Sequence, residues 1–191
     1  MVVARSGWSA QGGFELYVED AQLGLDLYDD LMRAGAPLDV GPGCPNRIER
    51  IEAGLLSYGN DMTREHTPLK AGLDRYCSLD APIEAIGLEA LRRQREHGVP
   101  RRICGMGVSG PPLPGPRQPW PVSVDARQAG QVTSLAWSPR LELNVALAML
   151  DSPHHASGTQ VTVATPDGDR PALVVSVPFP GAVQRPSVGS G

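Results

Sequence analysis

The chain has 191 residues, enough for one large or two small domains, and its 41% hydrophobic content supports a packed core. A net charge of -4 with no long basic run argues against gripping a nucleic-acid backbone, which needs clustered Lys and Arg. No apolar stretch reaches the ~20 residues that span a bilayer, and no signal-peptide pattern is readable after Met1. Cys44, Cys77 and Cys104 are widely spaced, so they read as reduced cytosolic thiols rather than a disulfide framework, and the expected location is cytoplasmic.

Met1 to Ala4 is short and apolar, like the end of a strand. Gly12-Gly13 turns the chain into a second strand, Phe14 to Val18. Glu15 and Tyr17 are two apart and share one face, and Phe14, Leu16 and Val18 form the opposite apolar face. From Asp20, a natural N-cap, the spacing turns helical: Leu23, Leu27, Leu31 and Ala34 recur at intervals of four and three, and Gly35 is a stop. Leu38 to Val40 reads as a short strand. A turn at Gly41-Pro42-Gly43 then leads into a helix over Asn46 to Gly54, with Ile48, Ile51 and Leu55 as its buried line.

Leu73 to Leu79 reads as a further strand, and Ile86 to His97 as a helix ended by Gly98. Beyond Arg101 the pattern is strand-rich. Pro111 to Pro121 can be neither a helix nor a central strand and reads as a stiff surface connection. Val122-Ser123-Val124, Gln131 to Ser134, Asn144 to Leu150, Thr159 to Ala164 and Ala172 to Val177 read as short strands, with a hairpin turn at Pro166-Asp167-Gly168-Asp169. That regularity predicts a small β-barrel or sandwich. The tail from Gly181 has too few apolar residues to pack and is expected to be disordered.

Several motifs invite chemistry that their context does not support. His154 and His155 are adjacent, so their side chains diverge, and nothing at ligand spacing completes a metal site. The cysteines have no nearby histidine in sequence, and Ser134 and Ser138 lack a nucleophile-elbow context. Gly7, Gly12 and Gly13 make neither a dinucleotide fingerprint nor a P-loop. From spacing alone, Glu15 and Tyr17 read first as a solvated strand face.

Three stretches carry a resemblance: Ala4-Arg5-Ser6-Gly7-Trp8-Ser9-Ala10-Gln11-Gly12-Gly13-Phe14-Glu15-Leu16-Tyr17; the run from Arg47 to Thr63 containing Arg50-Ile51-Glu52-Ala53-Gly54-Leu55; and Val132-Thr133-Ser134-Leu135-Ala136-Trp137-Ser138-Pro139, followed by Asn144 to Met149. In this order they resemble the glycine-cleavage T-protein family, the tetrahydrofolate-dependent aminomethyl and methyl transferases. Ile86 to Leu91 is similar to a further family segment, with Leu88 where the family has lysine. Gly43-Cys44-Pro45-Asn46 and Gln11 to Tyr17 look closer to the dimethylsulfoniopropionate demethylase-like branch. Family members are about twice as long, so the chain is expected to be the C-terminal half of a larger enzyme.

The resemblance implies an α+β fold, with part of a folate-binding α/β lobe over residues 1–98, a C-terminal β-barrel over 99–180, and a tail at 181–191. It implies transfer of a methyl group from a small-molecule donor to tetrahydrofolate. The alternatives are a T-protein-type aminomethyltransferase or a non-catalytic, truncated folate-binding module. Glu15 would accept two hydrogen bonds from a pterin, with Tyr17 and Trp8 contributing to the same pocket. Arg50 would contact the glutamate tail of folate or hold the pocket together. Tyr58 is a further candidate beside the pocket, and Glu52 would order its helix. Asn60 and Asp61 read as turn residues bonding their own backbone, and Trp137 as a cover of the cleft or a plain core tryptophan. The family's substrate-facing acid falls in the other half, so no catalytic acid or base is expected here. Neither a nucleic acid nor a membrane is an expected partner, and self-association through exposed apolar surface is.

Overall fold

A computed structural model describes residues 1–7, 12–43, 47–82 and 84–180. Trp8, Cys44, Asn46 and the tail from Gly181, all named above, lie outside these described residues.

The chain opens with an antiparallel ribbon of β1 (Val2–Ala4) and β2 (Glu15–Tyr17), with Val3 opposite Leu16. Helix α1 (Ala21–Gly35) follows, capped as its sequence predicts: the Asp20 carboxylate accepts from the Leu23 N–H at 2.9 Å. Its apolar stripe, however, buries no residue, and Leu23 and Leu31 are exposed. The expected strand at Leu38 to Val40 is instead a 3-10 turn, Ala36–Leu38, continuing α1. Pro37 suits the start of such a turn, and Asp39 takes a left-handed φ of 57° so that the Val40 N–H can bond back to the Gly35 carbonyl.

Helix α2 (Arg47–Glu52) is short and buries Arg50, Ile51 and Glu52. The strand expected over Leu73 to Leu79 is also absent. Asp74–Tyr76 coil as a 3-10 turn, and Leu69, Leu79 and Leu88 pack together with Cys77, Leu91 and Val99 alongside. The apolar residues of that stretch therefore serve a local cluster on helix α3 (Leu88–His97) rather than one face of a sheet. Gly98, with φ of 80°, ends α3 as expected.

The remainder is a closed antiparallel barrel of β3 (Arg101–Val108), β4 (Trp120–Val124), β5 (Arg127–Ser138), β6 (Leu143–Asp151), β7 (Gln160–Thr165) and β8 (Gly168–Val175), in the order β3-β6-β5-β4-β7-β8, with β8 returning to β3. Closure removes free sheet edges. Each strand predicted beyond Arg101 overlaps one of these elements, although Thr159 lies before β7 and Ser176 and Val177 lie after β8, and the hairpin at Pro166–Asp169 joins β7 to β8. β5 is much longer than Gln131 to Ser134, and β4 already begins at Trp120-Pro121. Pro121 is tolerated because β7 pairs only with Val122 and Ser123.

The barrel interior is filled by Met106, Val108, Val122, Val132, Leu135 and Ala148, among others, all buried. β6 is buried on both faces: Ala146, Ala148 and Leu150 point inward, while Val145 and Leu147 pack outward on Ile51 and Phe179. This outer cluster is how α2 sits on the barrel wall.

The Pro-rich connection between β3 and β4 is fastened at its start. Asn144, fully buried on β6, accepts from the Leu113 N–H at 2.9 Å, and its amide faces the carbonyls of Gly110 and Pro111.

Candidate functional site

β2 places Glu15 and Tyr17 on one face, as their spacing requires. The Tyr17 hydroxyl donates to Glu15 Oε2 at 3.1 Å, and the Ser6 hydroxyl, arriving from the segment after β1, donates to the same oxygen. Glu15 Oε1 has no hydrogen-bond partner among the described residues. The carboxylate is thus oriented by two hydroxyls and keeps one oxygen for a ligand N–H. A bidentate hold on a ligand requires one hydroxyl to turn away, because two donors already occupy Oε2. Tyr17 is exposed, and its hydroxyl pKa is raised because it donates to Glu15 and lies beside that negative charge.

A second cluster joins α2, the turn after it and the barrel. Arg50 is only 2% exposed. It donates to Asp61 at 2.9 Å, to the Leu55 carbonyl at 3.0 Å and to the Ser134 hydroxyl at 2.8 Å. Asp61, likewise buried, also accepts from the Ser57 N–H at 2.8 Å, the Thr133 hydroxyl at 2.6 Å and the Ser134 hydroxyl at 2.7 Å. Consecutive residues of a regular strand point to opposite faces. Here Val132 opposes Ala148 and Ser134 opposes Leu147, so Thr133 is the extra residue of a bulge. The bulge turns Thr133 and Ser134 to the same side while Val132 and Leu135 remain inside the barrel.

Two residues on, Glu52 repeats the arrangement. It accepts from the Ser138 hydroxyl and from Arg140 at 2.6 Å.

The Arg50 guanidinium is turned toward the Ser134 and Asp61 side chains of the barrel contact, and burying a cation is tolerable only with partners such as these. Asp61 does bond its own turn, but reading it as a turn residue missed its main part. The only signal in the sequence was the pair Thr133-Ser134 between Val132 and Leu135, which breaks strand alternation. Tyr58 is exposed on the turn that Asp61 pins. Trp137 is half-buried on β5. Trp8 lies outside the described residues.

Two clefts flank this cluster. One, of about 780 Å³, opens between the segments at Ala53–Leu56 and Leu69–Arg75, the end of α3 and strand β3, with His155 at its edge. The other, of about 660 Å³, is lined by Arg47, Asn60, Thr133, Ser134 and the Gly115–Pro119 stretch. Neither includes Glu15 or Tyr17. Burial pushes the Cys104 thiol up to about 12, so it stays protonated and is no nucleophile. Among the described residues no group of three or more His, Cys, Asp and Glu side chains is placed to hold a metal, and no helix is long and apolar enough to cross a membrane.

Residues 1–81 match the family model described as the GCVT N-terminal domain, and residues 101–180 that of the glycine cleavage T-protein C-terminal barrel domain. The chain belongs to the glycine-cleavage T-protein family. It is 51% identical over 174 residues to the dimethylsulfoniopropionate demethylase DmdA of Ruegeria pomeroyi, covering 91% of this chain and 47% of that protein. It is 36% identical over 182 residues to an aminomethyltransferase of Symbiobacterium thermophilum, covering 94% of this chain and 48% of the relative. The glycine cleavage system aminomethyltransferase T of Bartonella henselae shares the fold, with a TM-score of 0.77 at 23% identity over 93% of this chain and 49% of that one. The chain spans about half the length of the curated relatives it matches. The resemblance read from the sequence is borne out, including its leaning toward the demethylase branch.

Proposed function

We propose that the chain is the folate-holding and barrel portion of a tetrahydrofolate-dependent one-carbon transferase whose donor is a methylated sulfonium compound of the dimethylsulfoniopropionate type. The observation that carries the reading is the oriented carboxylate of Glu15, with one oxygen held by Ser6 and Tyr17 and the other open. It is supported by the 51% identity to a protein named dimethylsulfoniopropionate demethylase.

The fit of a pterin rests on donor chemistry. The edge of the heterocycle offers adjacent N–H donors, and the open oxygen of Glu15 is an acceptor set beside a ring, that of Tyr17, able to stack on a flat surface. Tetrahydrofolate held by Glu15 and Tyr17 would supply N5 as the methyl acceptor, with the neutral thioether as leaving group and the N5 proton passing to solvent. Glu15 would fix the orientation of the ring, and with it the direction of attack. Ser6 and Tyr17 keep that carboxylate in place before ligand arrives, reducing the ordering needed on binding. Arg50 and Asp61 act at one remove, by holding α2 and the 57–61 turn against the barrel.

Calorimetric titration with tetrahydrofolate tests the reading. Glu15→Gln replaces a charged acceptor by a neutral amide, and one charge-assisted hydrogen bond is worth roughly 1.5–3 kcal/mol, about ten- to a hundredfold in affinity. Unchanged affinity in Glu15→Gln, with an intact circular dichroism spectrum, would remove Glu15 from the site. An aminomethyl donor is the second reading, favoured by the aminomethyltransferase relatives.

A further inference from the structure

The larger of the two clefts, of about 780 Å³, has the size of a small-molecule site, which runs from roughly 300 to 1,000 Å³. The folate reading leaves it unused. Its walls divide by chemistry. Leu56, Leu69, Ala71, Val99, Ile103 and Val177 supply an apolar surface. The polar side of the cleft is dominated by donors. Asp74 is the one carboxylate among its lining residues, and Arg102 neutralises it through two hydrogen bonds. Arg95 is likewise spent, on Asp80 at 2.8 and 3.0 Å.

Arg75 and Gln94 remain. Arg75 makes no ion pair or hydrogen bond among the described residues. Its guanidinium lies 4.7 Å from the centre of the Tyr76 ring, a stacking that restrains it and leaves its N–H groups open. Gln94, half-buried on α3, accepts from the Thr67 hydroxyl at 2.5 Å through its amide oxygen. That bond orients the amide and leaves its NH2 group without a partner among the described residues. An anion in the cleft would therefore meet restrained, unused donors and a net positive charge. A cation would meet neither a free carboxylate nor the face of a Phe, Tyr or Trp.

We infer that this cleft binds a small monocarboxylate with a short apolar chain, the carboxylate on Arg75 and Gln94 and the chain against Leu69, Ala71 and Ile103. Resting on the demethylation reading above, one source of such a molecule is the neutral thioether acid left when a sulfonium donor gives up its methyl group. An ordinary short-chain fatty acid is the other. The sulfonium donor carries a cation that no group in the cleft receives, so the cleft separates the demethylated acid from its parent.

Calorimetry of the full chain without folate uses three probes: 3-(methylthio)propionate, dimethylsulfoniopropionate, and pentanoate, which has the length of the thioether acid without its sulfur. The thioether acid binds, and the sulfonium compound binds about tenfold more weakly or worse. Gln94→Glu keeps an acceptor for Thr67 and puts a carboxylate oxygen where the NH2 stood, so affinity for the thioether acid falls about tenfold or more. Arg75→Gln lowers it about three- to tenfold, because Arg75 is exposed. Arg127→Gln, an exposed arginine elsewhere on the barrel, controls for net charge and changes binding less than about twofold. Pentanoate binding as tightly as the thioether acid assigns the cleft to short fatty acids at large and overturns the thioether source. No heat with either acid, tighter binding of the sulfonium compound than of the thioether acid, equal binding by Gln94→Glu and the unaltered chain, or an equal loss in Arg127→Gln overturns the cleft itself. A chain that binds the thioether acid through Gln94 and gives no heat with tetrahydrofolate keeps the cleft and drops the folate reading.

Discussion

Arg50→Met tests the buried cluster that fastens α2 to the barrel. Methionine keeps the length of the stem and loses the guanidinium, so Asp61 loses its cation and the Leu55 carbonyl loses a donor. Removing one partner of a buried pair costs about 3–5 kcal/mol because the other charge is left uncompensated. Asp61 would retain the Ser57 N–H and the Thr133 and Ser134 hydroxyls, which places the expected loss at the lower end, about 3 kcal/mol. In a chain of this size each kcal/mol moves Tm by roughly 2–4 °C, so the expected drop is about 6–12 °C. Adding Asp61→Asn removes the orphaned charge, and the double variant should regain about 1–2 kcal/mol over Arg50→Met alone. Urea unfolding followed by far-ultraviolet circular dichroism, with an unchanged m value, measures both. A loss under about 1 kcal/mol for Arg50→Met, or a double variant less stable than the single, would refute the argument.

Other outcomes follow from features remote from this cluster. The Cys104 thiol titrates near 9.0 when exposed and at about 12 in the fold, so the unfolded chain releases its proton first as pH rises. Stability should therefore fall between about pH 9 and 12, by at most ~1.4 kcal/mol per pH unit from this group, and Cys104→Ala should flatten the urea midpoint between pH 8 and 10.5. Gly130 has a φ of 152°, and an added Cβ would lie 2.2 Å from the Met149 carbonyl across β6, so Gly130→Ala should cost roughly 3 kcal/mol or more in thermal unfolding. Val2, Val3, Phe14 and Leu25 are exposed, and α1 buries nothing, so light scattering should show association that increases with concentration; a monomer at all concentrations would count against it.

The barrel was legible because its strands obey a period of two and are separated by turns with their own chemistry. The start of α1 was legible because Asp20 caps it. The two strands read in error share a cause. At Leu38–Val40 and Leu73–Leu79 apolar and polar residues mix over a few positions, but Pro37 and Asp74 lie in the first turn of 3-10 segments, and a pattern over so few residues does not separate the two. In the candidate site, Glu15 and Tyr17 were readable because their pairing is local. The partners of Asp61 were not, since Thr133 lies 72 residues away and Ser134 73. No local rule connects a turn aspartate with a strand hydroxyl across that distance.

The bulge at Thr133 bears on how this protein could exchange parts with others. A closed barrel has no free edges, which makes it a natural unit for transplantation between proteins. Here the acceptor carboxylate belongs to one matched segment, residues 1–81, and its two hydroxyl donors to the other, residues 101–180. A grafted barrel with an unbulged strand would aim one of the two hydroxyls inward and leave Asp61 a donor short. The aspartate and the bulge are therefore two halves of one joint, and a barrel moved to another protein would need an acceptor carboxylate supplied at the same place.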